Sequence, residues 1–283
     1  MSDLLVARIN QIPDVRLRRA VTKILGLYEE SGSDWTASGG GLSPALWSDC
    51  PRMRMLIDPT YGHFIGDDFH AWLPTGYGYE LTGTNGTCVK VAASPNGVVR
   101  LTTGATDNDE AAIAYGNDAG GHIIANATTD WWFEARIKVN QGNVAKGHFV
   151  GLAEETGVAD DLFTNDTMEM KVIDTIGFQL LAATDVAATW QTMMQLNGGA
   201  RVAINTNVAT PQTTSYIKLG MKSEAGTVTF FVNGVANATT TTSAATNFPL
   251  DQVMEPTFGI KTGKAAAVTL DIDWWYAAQK RVA

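Results

Sequence analysis

Residues 215–234 read SYIKLGMKSEAGTVTFFVNG, and this stretch decides the fold. Apolar residues alternate with other residues on both sides of a short break, which puts one set of side chains on each face of a β-strand. The break, Ser223-Glu224-Ala225-Gly226, ends in a glycine that can adopt the left-handed backbone of a hairpin loop. The sequence therefore predicts an antiparallel hairpin, followed by a second turn at Asn233-Gly234. The side chains predicted to share one face are Ile217, Leu219, Met221, Val228, Phe230 and Val232.

The same alternation continues through most of the chain after residue 60. A long run at 131–139 places its odd-numbered residues on one face, and another at 268–276 places its even-numbered residues on one face. Shorter apolar runs separated by turn residues lie at 88–93, 98–103, 111–115, 122–126, 149–153, 175–183, 189–197, 201–205 and 257–261. About a dozen strands at this spacing predict a mainly β protein, a sandwich or jelly roll. No repeat of roughly 20–50 residues is visible, which excludes propellers and solenoids.

Residues 1–31 follow a different pattern. Apolar residues recur at helical spacing on both sides of Pro13, and Asp14 can cap the second of two helices. A short amphipathic helix needs apolar surface to pack against, either on its own domain or on a partner. The glycine-rich connector that follows favours a helical arm that docks to a partner or to another copy. The predicted assembly residues of this arm are Leu4, Leu5, Ile9, Ile12, Val15, Leu17, Val21, Ile24, Leu25 and Tyr28.

Residues 32–60 connect the arm to the β region. They begin with a connector rich in glycine and serine and continue with three prolines and no clean hydrophobic period. This composition predicts a linker and an extended segment that lies along a surface, either of its own sandwich or of a neighbouring subunit. The predicted organisation is therefore an arm at 1–31, a linker and extended segment at 32–60, and a β-sandwich at 61–283.

Charge and composition exclude some classes of protein. The net charge of −9 argues against nucleic-acid binding, which requires a basic surface. No run approaches the roughly 18 consecutive apolar residues of a membrane span, and Met1-Ser2-Asp3 lacks the basic start of a secretory signal. Two cysteines, Cys50 and Cys88, form no disulfide framework and are expected to be independent thiols.

The order of these segments resembles the concanavalin A-like jelly-roll superfamily of lectins and glucanases. The resemblance covers residues 61–281. It is carried by TDWWFEARIKV at 129–139, FVGLA at 149–153, DTIGFQLL at 174–181, the 216–234 hairpin and LDIDWWYAAQKR at 270–281. A narrower resemblance is to sandwich proteins of tailed-phage structural modules, on the N-terminal arm, the glycine-rich connector, Asp67-Asp68-Phe69 and the final tryptophan-containing strand. Because a fold does not fix a function, this second resemblance is an analogy.

The sandwich glycosidases of the superfamily carry an E-x-D-x-x-E strand, whose carboxylates perform the hydrolysis. This sequence has no such triplet. The nearest carboxylates are Glu154-Glu155, Glu169 and the pair Asp271 and Asp273, and we expect the last pair to lie on a solvated outer face. The resemblance without the triplet leads us to expect no enzymatic activity and no catalytic residues.

Metal and cofactor motifs are also missing from the sequence. The histidines His63, His70, His122 and His148 are scattered, without the spacing of metal ligands. An oxygen-rich loop at 107–110 could bind Ca²⁺ but lacks the twelve-residue spacing of an EF-hand. We therefore expect no metal site and no cofactor.

The tryptophans divide between the predicted faces of the strands. Trp131, Trp190 and Trp274 fall on core faces, whereas Trp132 and Trp275 fall on the opposite faces. An exposed aromatic side chain can bind glycan, contact a neighbouring subunit, or pack under residues 42–60 of its own chain. The residues considered for glycan or subunit contact are Trp72, Tyr77, Trp132 and Trp275.

Taken together, the sequence predicts a non-enzymatic structural protein of a tailed-phage virion, a surface decoration or fibre protein anchored by its arm. Its predicted partners are copies of itself, with a trimer as one candidate order, and other virion proteins, without nucleic acid or membrane. It would be made in the host cytoplasm and located on the virion surface. The alternative is a carbohydrate-binding, lectin-like module that recognises a cell-surface glycan.

Overall fold

The computed structural model describes residues 41–72, 78–92, 94, 97–116, 122–126, 128–140, 146–154, 161–182, 188–250 and 252–281. The predicted arm at 1–31 lies outside these residues. Within them, the chain folds into two antiparallel sheets packed face to face, with two short helices on one outer surface. The predicted β-sandwich is confirmed. No helix of the described part is long and apolar enough to cross a membrane.

The helices and strands follow one another in this order: α1 (Pro44–Trp47), α2 (Arg52–Ile57), β1 (Gly62–Asp67), β2 (Tyr79–Thr82), β3 (Thr87–Lys90), β4 (Val99–Thr102), β5 (Glu110–Tyr115), β6 (Ile123–Ile124), β7 (Trp131–Asn140), β8 (Lys146–Glu154), β9 (Thr175–Ala182), β10 (Trp190–Gln195), β11 (Val202–Ala209), β12 (Ile217–Glu224), β13 (Thr227–Val232), β14 (Val235–Thr242), β15 (Val253–Thr262) and β16 (Thr269–Lys280). Strands β1, β2 and β14 and both helices are additional to the segments predicted from the sequence.

The strands form two sheets of similar size. Sheet A has the order β14-β13-β12-β7-β16-β4-β3, and β1 pairs with the second half of β16. Sheet B has the order β11-β10-β9-β8-β15-β5-β2, and β6 pairs with the start of β15. The chain crosses repeatedly between the sheets, so strands that are close in sequence, such as β7 and β8, lie in different layers. Most of the pairings therefore join distant parts of the sequence.

The hairpin predicted at 216–234 is confirmed, with a shorter loop than expected. Strands β12 and β13 pair from Leu219 opposite Val232 to Glu224 opposite Thr227. The loop consists of Ala225 and Gly226, whose φ angles of 47° and 77° are the positive pair that a two-residue hairpin turn requires. Of the six side chains predicted to share a face, all but Val232 are buried in the core between the sheets, and Val232 packs against it.

The core between the sheets contains large aromatic side chains from both layers. Trp131, Phe133 and Phe230 come from sheet A, and Phe178 and Trp190 come from sheet B. Each is 0% exposed. Burying a large apolar side chain contributes about 1.5–3 kcal/mol, so this layer dominates the stability of the sandwich.

A β-bulge in β16 reverses the predicted faces at the end of the chain. Ile272 pairs with Ile137, but Trp274 pairs with Arg136, so Asp273 is an extra residue. After the bulge, Trp275 enters the core and Trp274 faces outward. The prediction that Trp274 and Tyr276 lie in the core, with Trp275 on the opposite face, was therefore wrong.

Residues 41–57, which we call the strap, lie on the outer face of sheet A. They contain α1 and α2, where the sequence predicted an extended segment. Leu46 and Trp47 are buried against Trp132 and other apolar residues of this face. Leu46 fits because Gly220 has no side chain, since a Cβ there would lie 2.3 Å from Leu46 Cδ1. The strap thus packs on its own sandwich, which answers the question that the sequence left open.

Candidate functional site

The outer face of sheet A has a covered half and an open half. The strap covers the half around Trp132. On the open half, Lys138 pairs with Asp271 and Asp271 pairs with Arg100 in the registers of neighbouring strands. Tyr216 immediately precedes Ile217, which pairs with Ile137. We call the six residues that meet here the charged row: Arg100, Arg136, Lys138, Tyr216, Asp271 and Asp273.

Ion pairs in the charged row place the cations above the carboxylates. Arg100 Nε and Nη2 donate to the two oxygens of Asp271 at 2.5 and 2.9 Å, and Lys138 Nζ lies 3.2 Å from Asp271 Oδ2. Arg136 Nη1 donates to Asp273 Oδ2. The two carboxylate side chains are 2% and 8% exposed, whereas the three cationic side chains are 22–35% exposed. The expectation that Asp271 and Asp273 are solvated was wrong, because each is buried beneath a cation.

Tyr216 supplies an aromatic surface beside these cations. Arg136 Cζ lies 4.3 Å and Lys138 Nζ 5.0 Å from the centroid of its ring, within the range of cation–π attraction. Burial raises the pKa of Tyr216, and the charges of Asp271 and Asp273 raise it further, so the phenol is neutral at physiological pH. The ring is half-buried and held in place by its neighbours.

The outer face of sheet B is covered by residues 161–173, which we call the cover segment. Its apolar side chains pack on small and aromatic residues of the sheet. The residues of this second apolar layer are Ala112, Ala114, Phe149, Ala153, Leu162, Phe163, Met170, Ile173 and Met193. The cover segment is closed on itself by a bridge between Phe163 and Met170. Sheet B is therefore buried on both faces along this part.

A buried ion pair fixes the start of the cover segment. Glu110 Oε2 lies 3.0 Å from Lys261 Nζ, and both side chains are 0% exposed. The backbone N–H groups of Leu162 and Phe163 donate to the same carboxylate. Desolvation raises the pKa of Glu110, and the charge of Lys261 opposes this rise. A carboxylate that is this fully engaged holds structure rather than a metal ion.

The loop considered for Ca²⁺ directs two of its three acidic groups, Asp109 and Glu110, into the protein, whereas Asp107 is exposed. Asp109 accepts hydrogen bonds from Asn85 Nδ2 at 2.9 Å and from the backbone of Thr106 at 2.8 Å, and Glu110 faces Lys261. Among the residues that the structure describes, no group of three or more His, Cys, Asp or Glu side chains could hold a metal ion.

Strand β9, which contains most of the DTIGFQLL segment, has no carboxylate on its outer face. The outward positions of β9 are Thr175, Gly177 and Gln179, on the opposite face from the core residues Ile176 and Phe178. Gln179 is 0% exposed, and among the described residues neither atom of its amide has a hydrogen-bond partner. Hydrolysis by a pair of carboxylates on this strand is therefore not supported by its side chains.

The other carboxylates considered for catalysis lie apart from one another. Glu154 ends β8, where its Oε2 accepts from the backbone N–H of Asp174 at 3.2 Å. Its pKa is raised by burial and by the neighbouring carboxyl of Asp174. Glu169 lies on the cover segment and pairs with Arg201 at 3.0 Å. Glu155 lies outside the described residues.

The structure does not bring the four predicted aromatic contact residues together. Trp132 is 2% exposed beneath the strap, and its Nε1 donates to Asp49 at 3.1 Å. Trp275 lies in the core and donates to the hydroxyl of Tyr79 at 2.8 Å. Trp132 lies on the outer face of β7 as predicted, and it packs under residues 42–60, which was one of the alternatives, whereas Trp275 was wrongly predicted to face away from the core. Trp72 is half-buried with its ring edge-on to Phe69, and Tyr77 lies outside the described residues.

The histidines lie in three different surroundings. His63 and His122 have ring centroids 6.2 Å apart, and burial lowers the pKa of both. His148 is fully buried beside Trp190, and desolvation lowers its pKa to about 3. His70 is exposed beside Asp68. The fold thus brings His63 and His122 together, whereas His70 and His148 lie in other surroundings.

Sequence reasoning placed Arg136 and Lys138 on the outer face of β7 but missed the site they belong to. Arg100 and Tyr216 come from β4 and from the residue before β12, which are distant in sequence. The order of strands in the sheet brings them together, and alternation within one strand gives no signal for that order.

No family model and no curated protein matches this sequence. Several solved structures are similar to its fold. Peanut lectin with a 9mer peptide has a TM-score of 0.54 at 12% identity, over 78% of this chain and 100% of that one. A Bacteroides ovatus GH16 protein in complex with a G4G4G3G product has a TM-score of 0.52 at 15% identity, over 75% and 98%. The Emp47p carbohydrate recognition domain has a TM-score of 0.50 at 10% identity, over 78% and 97%.

At these identities the likeness establishes the fold, which is the concanavalin A-like jelly roll. The prediction that the chain is not an enzyme was wrong. It rested on the missing E-x-D-x-x-E strand, yet GH16 glucanases are among the proteins that share this architecture. Lectins and glucanases are built on the same sandwich, and the missing motif does not separate this chain from either.

Proposed function

We propose that this chain is a structural protein of a tailed-phage virion, in which an N-terminal arm attaches a displayed β-sandwich to the particle. The observation that carries this proposal is the strap. It fixes the point at which the first forty residues join the sandwich, on the outer face of sheet A. An arm joined only through a glycine-rich connector would leave the domain loosely tethered, whereas the strap holds it at a defined place.

The strap is held by polar contacts as well as by apolar packing. Glu134 Oε2 accepts from the backbone N–H of Ser43 at 2.9 Å and from Trp47 Nε1 at 2.8 Å. Lys218 Nζ donates to the carbonyl oxygen of Gly41 at 3.1 Å. These bonds begin at the first described residue, Gly41, so the strap is attached to the sheet from its start.

In contrast to the buried contacts of the strap, the edge of sheet A presents an exposed polar surface. Strand β14, Val235–Thr242, is largely exposed and ends in four threonines. Threonine suits an exposed strand, because its branched side chain favours the extended backbone and its hydroxyl is solvated. This solvated edge supports display of the sandwich outward, with attachment through the strap and the arm.

A second candidate function is carbohydrate binding. The observation that favours it is the charged row, where the half-buried ring of Tyr216 lies beside cationic and acidic side chains. Aromatic faces and hydrogen-bonding groups together suit a sugar, which has apolar ring faces and polar hydroxyls. The similar structures include a lectin and a carbohydrate recognition domain, which supports the same class of ligand.

The arm is tested by comparing the full-length protein with a variant that lacks residues 1–40. The variant keeps the strap, because a deletion to residue 60 would uncover Trp132 and its apolar neighbours. We expect the full-length protein to be oligomeric by light scattering and to bind the particle. The variant should be a monomer with an unchanged melting temperature and no particle binding. Equal mass and equal particle binding in both proteins would contradict the proposal.

A further inference from the structure

We propose that the charged row is a binding site for an anionic glycan, in which a sugar ring stacks on Tyr216 and Arg100, Arg136 and Lys138 bind its acidic groups. The inference rests on the carbohydrate-binding candidate and names its site and its class of ligand. It does not depend on the arm or on assembly.

The site lies on the half of sheet A that the described residues leave open. The strap begins beside Lys218 and covers the region of Glu134 and Trp132, whereas the charged row lies beyond it. Neighbouring strands are spaced about 4.8 Å apart, so a row that crosses β12, β7, β16 and β4 is about 14 Å long. It is long enough for an extended chain of sugars rather than for a single ion.

The cations retain donors that their carboxylates do not use. A guanidinium carries about five N–H donors and an ammonium about three. Arg100 directs Nε and Nη2 to Asp271, and Lys138 directs its Nζ to the same carboxylate. The remaining donors of these side chains, which are 35% and 22% exposed, are available to a ligand.

Charge at this surface favours an acidic ligand over a neutral one. The protein has a net charge of −9, yet here the cations are exposed and the carboxylates beneath them are buried. Asp271 faces two cations, Arg100 and Lys138, so one positive charge is left over at this end. The exposed Asp68 adds a negative charge that acts on Asp273. The acidic group of the ligand should therefore bind nearer Asp271, where a positive charge is left over. Planar guanidinium groups match the geometry of a carboxylate.

Tyr216 is positioned before any ligand arrives. Arg136 and Lys138 hold its ring by cation–π contact, so little side-chain freedom is lost on binding. Because the ring of Tyr216 is fixed at one end of the charged row, a sugar that stacks on it is oriented with the rest of the glycan along the row.

The experiment measures the binding of polygalacturonate to the full-length protein by isothermal titration calorimetry. Its methyl ester has the same backbone without the charge, and dextran is a neutral glucan. The test variants are Tyr216→Ala and Lys138→Met, and the latter keeps the pair between Arg100 and Asp271. Tyr61→Ala is the matched control, because Arg54 Cζ lies 3.9 Å from the ring centroid of Tyr61 at a different place. Circular dichroism verifies that each variant is folded.

We expect the wild type to bind polygalacturonate more tightly than the ester or dextran, and more weakly as salt screens the exposed cations. Tyr216→Ala and Lys138→Met should each weaken binding at least about tenfold, because the first removes a stacking contact with the ligand and the second a charge-assisted one. Tyr216→Phe and Tyr61→Ala should leave it within about twofold, since the first keeps the ring.

The outcomes separate this site from glycan binding in general. Binding of any of the three polysaccharides that is unchanged by both test variants would overturn the site and leave glycan binding standing. Equal binding of the acid and its ester would overturn the preference for an anionic ligand. A folded wild type that binds none of the three would overturn both the site and the carbohydrate-binding candidate.

Discussion

A segment of the same chain covers part of each outer face of the sandwich, and a buried glutamate binds each segment, but the charges of the two glutamates are compensated differently. On sheet B, Glu110 receives two N–H groups of the cover segment and also pairs with the buried Lys261. On sheet A, Glu134 receives Ser43 and Trp47 of the strap. Within the described part of the chain it forms no salt bridge, and its Oε1 has no partner.

This difference shows two ways of fixing an aperiodic segment to a sheet. The charge of Glu110 is compensated inside the protein, so removing one partner leaves the other uncompensated. The charge of Glu134 is stabilised by hydrogen-bond donors of the strap and by the more distant charge of Lys218, while desolvation raises the pKa of Glu134. Removal of Glu110 should therefore destabilise the protein more than loss of one donor to Glu134, whereas desolvation raises the pKa of both glutamates.

The largest expected effect is that of Glu110→Ala. The substitution leaves the buried Lys261 with only the more distant carboxylate of Asp161, 3.9 Å from its Nζ, and leaves two backbone N–H groups unpaired. Breaking a buried ion pair in this way costs about 3–5 kcal/mol, which urea unfolding would measure. Glu169→Ala is the matched control on the same segment, because its pair with Arg201 is partly exposed and such pairs contribute about 0–1 kcal/mol. Equal losses in the two variants would show that the buried pair does not hold the cover segment.

A smaller effect is expected for Trp47→Phe, which removes the strap's indole N–H from Glu134. A hydrogen bond to a charged group contributes about 1.5–3 kcal/mol. Trp190→Phe is the control, because Trp190 is equally buried and its Nε1 has no hydrogen-bond partner in the part of the chain that the structure describes, so mainly volume is lost. The free energy of unfolding should fall further for Trp47→Phe than for Trp190→Phe. The reverse order would mean that packing alone attaches the strap.

The smallest effect at neutral pH is expected for Glu134→Gln, with a change below about 1 kcal/mol, because the amide oxygen still accepts from the strap. The informative readout is pH dependence. The pKa of Glu134 is raised in the folded state, so the penalty for ionising it is absent below the ordinary glutamate pKa and complete above the raised value. Wild-type stability should therefore decrease as pH rises through this window.

The glutamine variant should lose that part of the pH dependence. Glu110 and Glu154 also have raised pKa values, and they contribute equally to both proteins, so the difference between the two stability curves isolates Glu134. Parallel curves from pH 4 to neutrality, roughly the range in which a glutamate with a raised pKa titrates, would show that Glu134 carries no uncompensated charge.

The sequence predicted well what alternation within one strand determines. The two faces of β7 and of the β12–β13 hairpin were correct, because buried and outward positions follow directly from a period of two. The sandwich followed from the number and spacing of such strands. The faces of β16 were wrong after Ile272, because alternation assumes an unbroken strand and the extra residue Asp273 has no signature in the pattern.

The positions of the two covering segments could not be predicted from the sequence. Glu134 falls at an outward position of β7, as alternation predicts, and it is buried because the strap returns over it. The strap has no hydrophobic period, and its seat depends on Gly220 of a distant strand. For the same reason the charged row was missed, since Arg100 and Tyr216 meet through strand order rather than through local sequence. The arm at 1–31 remains a prediction.

The two cysteines are buried in different layers of the protein. Cys50 is buried beneath the strap, in the apolar layer outside sheet A, whereas Cys88 is buried between the sheets. Both are free thiols, and desolvation raises the pKa of each to about 12. Neither thiol reacts readily while it is covered, because the thiolate is the reactive form.

The rates at which the two native thiols are modified therefore report two different opening reactions of one molecule. Modification of Cys50 records how often the strap detaches, and modification of Cys88 records how often the sandwich itself opens. Local and global opening usually differ in free energy, so the ratio of the two rates reports whether the strap moves independently of the domain. Because both thiols are native, this ratio can be measured without introducing a label.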